Sequence, residues 1–379
     1  MWTGWKTTSK GISNNNDGMK KLLFVMVCLL GLQVQAQNKQ EQLQHIRKMY
    51  AEAKEQIARN GKDGMAPLDV RISISDGTQV DEDFSIDDET ELTFYFNKYR
   101  VNPELDYPDA SSCYFVVENW TSHGHLRYRE VLFDPNEGNL LFCYMRQETD
   151  AGFVVETRYY YDADGHLIDQ KHKVGGADAE PDAHSWNDGE SEKAQALLYL
   201  NAFETLMNAK GGTSAQNRVK KPTTPKAERL ASIRNTYAQA KQKVTNNAKS
   251  ELPHDMQIVI RDQSWGPPAI TELNFYFDPV AGSEGFDGNY CYFISKHFHH
   301  NNMGPDHYSE YLFAPQSQDL LFSYTSAKEE GEKFEWRYYY DENGKCIEVK
   351  TDAEDADDGV GDKATVNRYL KLFNMLVNP

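Results

Sequence analysis

The sequence predicts an α+β fold: a tandem duplicated domain, each copy a curled antiparallel β-meander of about seven strands with an N-terminal and a C-terminal helix packed on one face. Three observations predict it. The second half of the chain repeats the first. Each half holds a run of strand-like segments separated mostly by short turns. Each run is bracketed by segments of helical periodicity.

The repeat is legible residue by residue. "EQLQHIRKMYAEAKEQI" at 41–57 matches "ERLASIRNTYAQAKQKV" at 228–244, and "PLDVRISISD" at 67–76 matches "PHDMQIVIRD" at 253–262. "TELTFYF" at 90–96 matches "TELNFYF" at 271–277; "CYF" recurs at 113 and 291, and "LLF" at 140 and 320. "KAQALLYLNAFETLMN" at 193–208 matches "KATVNRYLKLFNMLVN" at 363–378. The unit is too long for a solenoid repeat and of ordinary domain size. We therefore expect one domain at 38–209 and a second at 227–379. The Gly-, Pro-, Thr- and Lys-rich 210–226 reads as the linker.

The first element of each copy is an amphipathic helix. Leu43, Ile46, Tyr50, Ala53 and Ile57 recur at helical spacing, as do Leu230, Ile233, Tyr237, Ala240 and Val244. Seven strands are expected next, at about 68–76, 90–98, 111–121, 126–134, 139–148, 153–162 and 166–172. An acidic loop and a closing helix, with Tyr199, Phe203 and Leu206 on one face, complete the copy.

Turn lengths set an expected register. A turn at 135–138 puts Phe133 opposite Leu140, hence Glu130 opposite Cys143, and a turn at 149–152 puts Cys143 opposite Arg158. Alternation then assigns Phe115, Phe133, Phe142, Tyr144 and Tyr159 to the core, with Phe293, Phe313, Phe322, Tyr324 and Tyr338 as counterparts. The other face carries the candidate ligand-binding residues. They are Tyr128, Glu130, Glu156, Arg158 and Tyr160 around Cys143, and Tyr308, Glu310, Glu335, Arg337 and Tyr339 around Ser323. In this register Arg158 reaches over Cys143 to Glu130. Such a row is either a cross-strand ion-pair ladder or the polar floor of a concave binding surface. A glycosidase acid would need a raised pKa, which an adjacent Arg opposes.

No cofactor motif is present, but "KHFHHNNMGPDHY" offers a divalent metal a ligand set. A hairpin centred near 303 would put His299 opposite His307, with His297 on the same face. The first copy has Asn119, Thr121 and Arg127 at those positions. Acidic stretches gather at one end of the expected meander without EF-hand spacing, so they read as solvated loops.

The strings "RYYYDADGHLI" at 158–168 and "RYYYDENGKCI" at 337–347 resemble a single YD-type repeat, the Tyr-Asp hairpin unit of large secreted shell proteins. Tyr161, Asp162, Gly165 and Leu167 match its core, as do Tyr340, Asp341 and Gly344, where Cys346 departs. The resemblance implies a hairpin with an Asp–Gly turn, and no catalytic residue carries over from it.

The composition sets the function classes. With 22 Tyr and 18 Phe in 379 residues, the chain has too much to bury to be mostly disordered. Lys+Arg of 40 against Asp+Glu of 58 gives a net charge of −18, which argues against nucleic acid as a partner, since its phosphates would be repelled without a basic patch. Met19, Lys20, Lys21, an apolar run to Leu32 and Val34-Gln35-Ala36 form a secretory signal at 19–36, with residues 1–18 read as untranslated or disordered. That predicts a secreted or periplasmic protein with no transmembrane segment after cleavage. No G-x-S-x-G elbow, Walker loop or dinucleotide fingerprint occurs. The expected function is a secreted, non-enzymatic binding protein whose partner is a protein or a glycan. The alternatives are a secreted hydrolase acting on glycan or peptide, and a structural envelope component.

Overall fold

A computed structural model describes residues 39–62, 67–79, 85–102, 104, 110–122, 125–149, 151–180, 189–207, 225–250, 253–262, 269–282, 285–300, 306–315, 317–329, 332–353 and 360–378. The expected signal segment, all but the end of the linker, and the acidic stretches at 80–84, 181–188 and 354–359 lie outside the described residues. The chain divides into a compact unit ending at Ala51 and another from Glu52 to Pro379, which holds every strand.

After helix α1 (39–59) come strands β1 (Asp69–Gln79), β2 (Ser85–Tyr99), β3 (Ala110–Ser122), β4 (His125–Phe133), β5 (Leu140–Glu148), β6 (Val154–Tyr161), β7 (Leu167–Val174) and β8 (Ala177–Ala179), then helix α2 (Gly189–Met207). Helix α3 (Lys226–Asn247) opens the second half. It leads to β9 (His254–Asp262), β10 (Ala269–Gly282), β11 (Gly285–His300), β12 (Asp306–Phe313), β13 (Leu320–Glu329), β14 (Glu332–Tyr340), β15 (Cys346–Thr351) and helix α4 (Val360–Val377).

All strands belong to one continuous 15-stranded antiparallel sheet, ordered β15 to β9 and then β1 to β8. This corrects the expected pair of separate meanders. β1 and β9 pair antiparallel, Val70 opposite Ile260 and Ile72 opposite Ile258, and so join the two halves. The physical reason is the edge: the first strand of each copy alternates apolar and polar residues and would otherwise expose a row of backbone donors and acceptors. Pairing satisfies both rows and makes Val70, Ile72, Ile74, Met256 and Ile258 part of one buried cluster. Asp69 of β1, fully buried, accepts two bonds from Arg261 of β9, at 2.7 and 2.5 Å.

The helices occupy opposite faces, not one. On the first face, α2 stacks Phe203 on Phe94 and sets it beside Phe96, and α4 repeats this with Phe373 on Phe275 and Phe277. On the second face, α3 buries Leu230, Ile233 and Ala240 against Phe293, Leu312, Phe322 and Tyr339. Lys54, in the part of α1 beyond Ala51, lies over the Phe115 ring on that same face.

β-Bulges explain how a sheet of this pattern covers both faces with apolar side chains. Register shifts fall at Tyr95/Phe96, Leu132/Phe133 and Tyr160/Tyr161, and at Tyr276/Phe277, Leu312/Phe313 and Tyr339/Tyr340 in the second half. Each inserts one residue and reverses the alternation beyond it. The "LLF" strings are the case in point: Leu320 joins the α4 side, whereas Leu321 and Phe322 pack with α3.

The turns of the Tyr-Asp strings close alike. Asp162 Oδ1 accepts from the amides of Asp164 and His166, and Asp341 Oδ1 from those of Asn343 and Lys345. Gly165 and Gly344 adopt φ of +78° and +68°, a conformation open to glycine. Lys193 and Lys363 of the closing helices donate to the carbonyls of these glycines, at 2.7 and 3.2 Å.

Candidate functional site

The bulge at Leu132/Phe133 resets the expected β4–β5 register by one residue, and a turn over 149–153, one residue longer than expected, resets β5–β6 likewise. Glu130 stands opposite Tyr144, and Tyr144 opposite Arg158; Cys143 pairs with Val131 and Tyr159 and faces α2. In the second half the row is Ser295, Glu310, Tyr324, Arg337 and Lys350. Glu130 and Arg158 thus share a face and a row, with a tyrosine between them and not a cysteine. Tyr144, Phe142 and Phe115, expected among one set of core residues with Phe133 and Tyr159, lie on this polar face instead. Cys113, Cys143, Cys291 and Cys346 form no disulfide with one another, and the first three are buried.

The sheet face brings together ten of the predicted residues in two equivalent clusters, and the partners differ from those expected. Arg158 does not reach Glu130. It lies over the Tyr144 ring at 5.1 Å and donates to Glu156, its strand neighbour two residues away, at 3.3 Å. Glu130 is engaged by Lys54 at 2.7 Å and by the Tyr128 hydroxyl. Tyr160 packs its ring 5.0 Å from Phe142.

The second cluster repeats this. Glu310, 3% exposed, accepts from Lys241 at 2.7 Å, from Tyr308 at 2.7 Å and from Tyr237. Arg337 lies 5.3 Å over Tyr324 and donates to Glu335 at 2.5 Å. Tyr324 donates to Glu335 at 3.0 Å, and Lys333 at 2.6 Å. Bonds from Lys333 and Tyr324 hold the Glu335 carboxyl down to about 2. Burial, then the bond to Glu310, pushes the Tyr237 and Tyr308 phenols up, so both remain neutral donors. Burial and Glu156 raise Tyr144 to about 12.

Between α3 and this face is a half-open pocket of about 370 Å³. Glu310, Tyr324, Arg337 and Tyr339 line its sheet side, and Ile233, Arg234 and Tyr237 its helix side. Arg234 lies 5.6 Å over the Tyr339 ring. The sequence reading missed the helix contribution: Arg234, Tyr237, Lys241 and Lys54. The signal was present in the repeated "YAEAK" and "YAQAK", where Tyr and Lys stand four residues apart on one helical face.

The histidine hairpin assembles differently from the expected triad. His307 pairs with Phe298 and His297 with Tyr308, so His307 points to the face opposite His297 and His299. The hairpin is one residue out of the assumed register. The His297 and His299 rings lie 4.9 Å apart at a 38° tilt, and His297 Nε2 lies 2.5 Å from Asp306 Oδ1. Among the described residues, the one set of three or more His, Cys, Asp or Glu side chains close enough to share an ion is Asp162, Asp164 and His166 in the Tyr-Asp turn. Asn343 and Lys345 replace two of these in the second copy.

On the α2 side a buried ionic cluster has no repeat. Arg129 donates to Glu192 at 2.9 Å, to the Tyr199 hydroxyl at 3.0 Å and to Glu118, and lies over the Trp120 ring. Burial outweighs Arg129 and raises the Glu118 pKa. Ser309 and Lys296 take the places of Arg129 and Glu118 in the second copy.

No protein-family model and no curated protein sequence matches the chain. Among the described residues no helix is long and apolar enough to cross a membrane.

Proposed function

We propose that the protein is an exported, non-enzymatic binding protein that holds a protein or glycan ligand on the polar sheet face, beneath the N-terminal helix of a copy. The observation that carries this reading is the state of the two carboxylates near the pocket. Glu310 accepts from a lysine and two tyrosines, so its oxygens are occupied by the protein's own donors. Glu335 is held down to about 2 and has no proton to give near neutrality. A general acid needs an open approach, which Glu310 lacks, and a raised pKa, which Glu335 lacks. Preorganised arginine edges and tyrosine rings around an open pocket instead favour reversible recognition.

The test is affinity capture with the full chain against envelope extract and a glycan panel, with each captured species examined for cleavage. The expected outcome is retention of intact ligand, lost in Arg337→Gln. Turnover that Glu310→Gln abolishes would establish the hydrolase alternative and defeat the proposal.

A further inference from the structure

We infer that the pocket beneath α3 takes an anionic saccharide, a sugar ring bearing a carboxylate or sulfate, with its charged group on Arg337 and Arg234 and its ring against Tyr237 and Tyr324. This rests on the binding reading above and narrows it to a ligand class.

Charge carries the first step. The chain has a net charge of −18, yet Arg234 and Arg337 both line this pocket, and Lys226, Lys241, Lys333 and Lys350 pair with carboxylates that either pair with these arginines or line the pocket wall. They are met by four carboxylates, Glu310, Glu335, Glu348 and Asp352. Glu348 alone is shared by Lys226, Arg234 and Lys350, at 3.5, 3.8 and 3.5 Å. A local positive excess on an acidic protein draws an anion to this place and repels it elsewhere.

Geometry carries the second. Among the described residues only Nη2 of Arg337 is engaged, on Glu335, so its remaining N–H groups are available to a bidentate oxyanion. Both arginines sit over tyrosine rings, Arg337 on Tyr324 at 5.3 Å and Arg234 on Tyr339 at 5.6 Å. That contact restrains the guanidinium groups before a ligand arrives. Half-buried Tyr237 and Tyr324, whose hydroxyl protons go to Glu310 and Glu335, offer ring surface and an acceptor oxygen beside them.

The backbone decides between a saccharide and an acidic peptide. The pocket lies over β12, β13 and β14, where β13 pairs with β12 and β14, and β14 with β13 and β15. The strands that line it are paired on both sides, and the free edge of the sheet lies one strand further out, on β15, so a peptide adding to that edge as a strand would lie beyond Lys350 and not in the pocket. Recognition falls to side chains, which suits a ring carrying its own charge and hydroxyls. About 370 Å³ is at the small end of ligand pockets and accommodates a short stretch of sugar chain.

The test is calorimetric titration of the full chain with a uronate oligosaccharide, a sulfated oligosaccharide, a neutral oligosaccharide of equal length and a poly-glutamate peptide. The two anionic saccharides are expected to bind, and the neutral one and the peptide at least about tenfold more weakly. Arg337→Gln and Arg234→Gln, both at partly exposed positions, should each weaken binding about tenfold or more, while Arg59→Gln should not. Raising salt from about 50 to about 500 mM should also weaken it. Equal binding of the neutral sugar or of the peptide, binding indifferent to both arginine variants, or no saccharide binding overturns the inference. Capture of another intact ligand would then leave the broader binding reading standing. Conversely, cleavage of a bound anionic saccharide would defeat the non-enzymatic reading while keeping the ligand class.

Discussion

Glu335 and Glu310 lie on the same face with different surroundings, and pH separates Glu335 from an ordinary carboxylate. Glu335 is lowered from its ordinary 4.5 to about 2, so its interactions stabilise the folded chain above about 4.5 and are lost as pH falls toward 2. Stability measured by urea unfolding should decline across that window, and Glu335→Gln should flatten the decline. An unchanged slope would mean that the Lys333, Tyr324 and Arg337 contacts do not persist in solution. Glu118 runs the other way: its raised pKa contributes stability at low pH that is lost as pH rises through its folded value. For Glu310, replacement by Gln leaves Lys241 facing a neutral amide at a site 3% exposed. Because Lys241 can turn to water, we expect a loss of about 1–3 kcal/mol, with no loss refuting the described network.

At the scale of elements, stability rests on helices whose aromatic residues fit between bulged strands. Phe373 is fully buried and meets Phe275 and Phe277, and Phe203 meets Phe94 and Phe96 in the same way. Truncation to Ala leaves a cavity the sheet cannot close, so each of Phe373→Ala and Phe203→Ala should cost about 3–5 kcal/mol in chemical denaturation. A loss under about 1 kcal/mol would mean the helix is not docked as described. The bulges also explain why element positions were readable while faces were not. The seven strands expected in the first copy all form close to their expected places, because alternation and turn residues are local signals. The bulge after Leu132 adds Leu141 without any turn residue to announce it, and it moved Tyr144 and Cys143 to opposite faces from those inferred. The histidine hairpin failed similarly, by one residue, which was enough to separate His307 from His297.

For the whole molecule, the seam between β1 and β9 makes the two halves one sheet. The Asp69–Arg261 pair spans it, and Lys98 of β2 reaches Asp262 of β9 at 2.7 Å. Helices α2 and α4 share one buried cluster, which runs beneath both halves. We therefore expect a single calorimetric unfolding transition, and Asp69→Asn should lower stability by about 1–3 kcal/mol and shift that one transition. Two separate transitions, only one of them moved by the substitution, would show that the halves are energetically independent.

The sequence by itself determined the duplication, the order and approximate extent of the strands, the helical segments at each end of a copy, and the sharing of a row by Glu130 with Arg158 and by Glu310 with Arg337. These follow from periodicity, turn chemistry and repetition, which act over a few residues. Only the tertiary structure decided which face each helix covers, that Lys241 and Tyr237 close over Glu310, and that Asp69 meets Arg261, 192 residues away. Those outcomes depend on bulges that reverse a face without a local mark, and on the need of two distant edge strands to satisfy their backbone groups in each other.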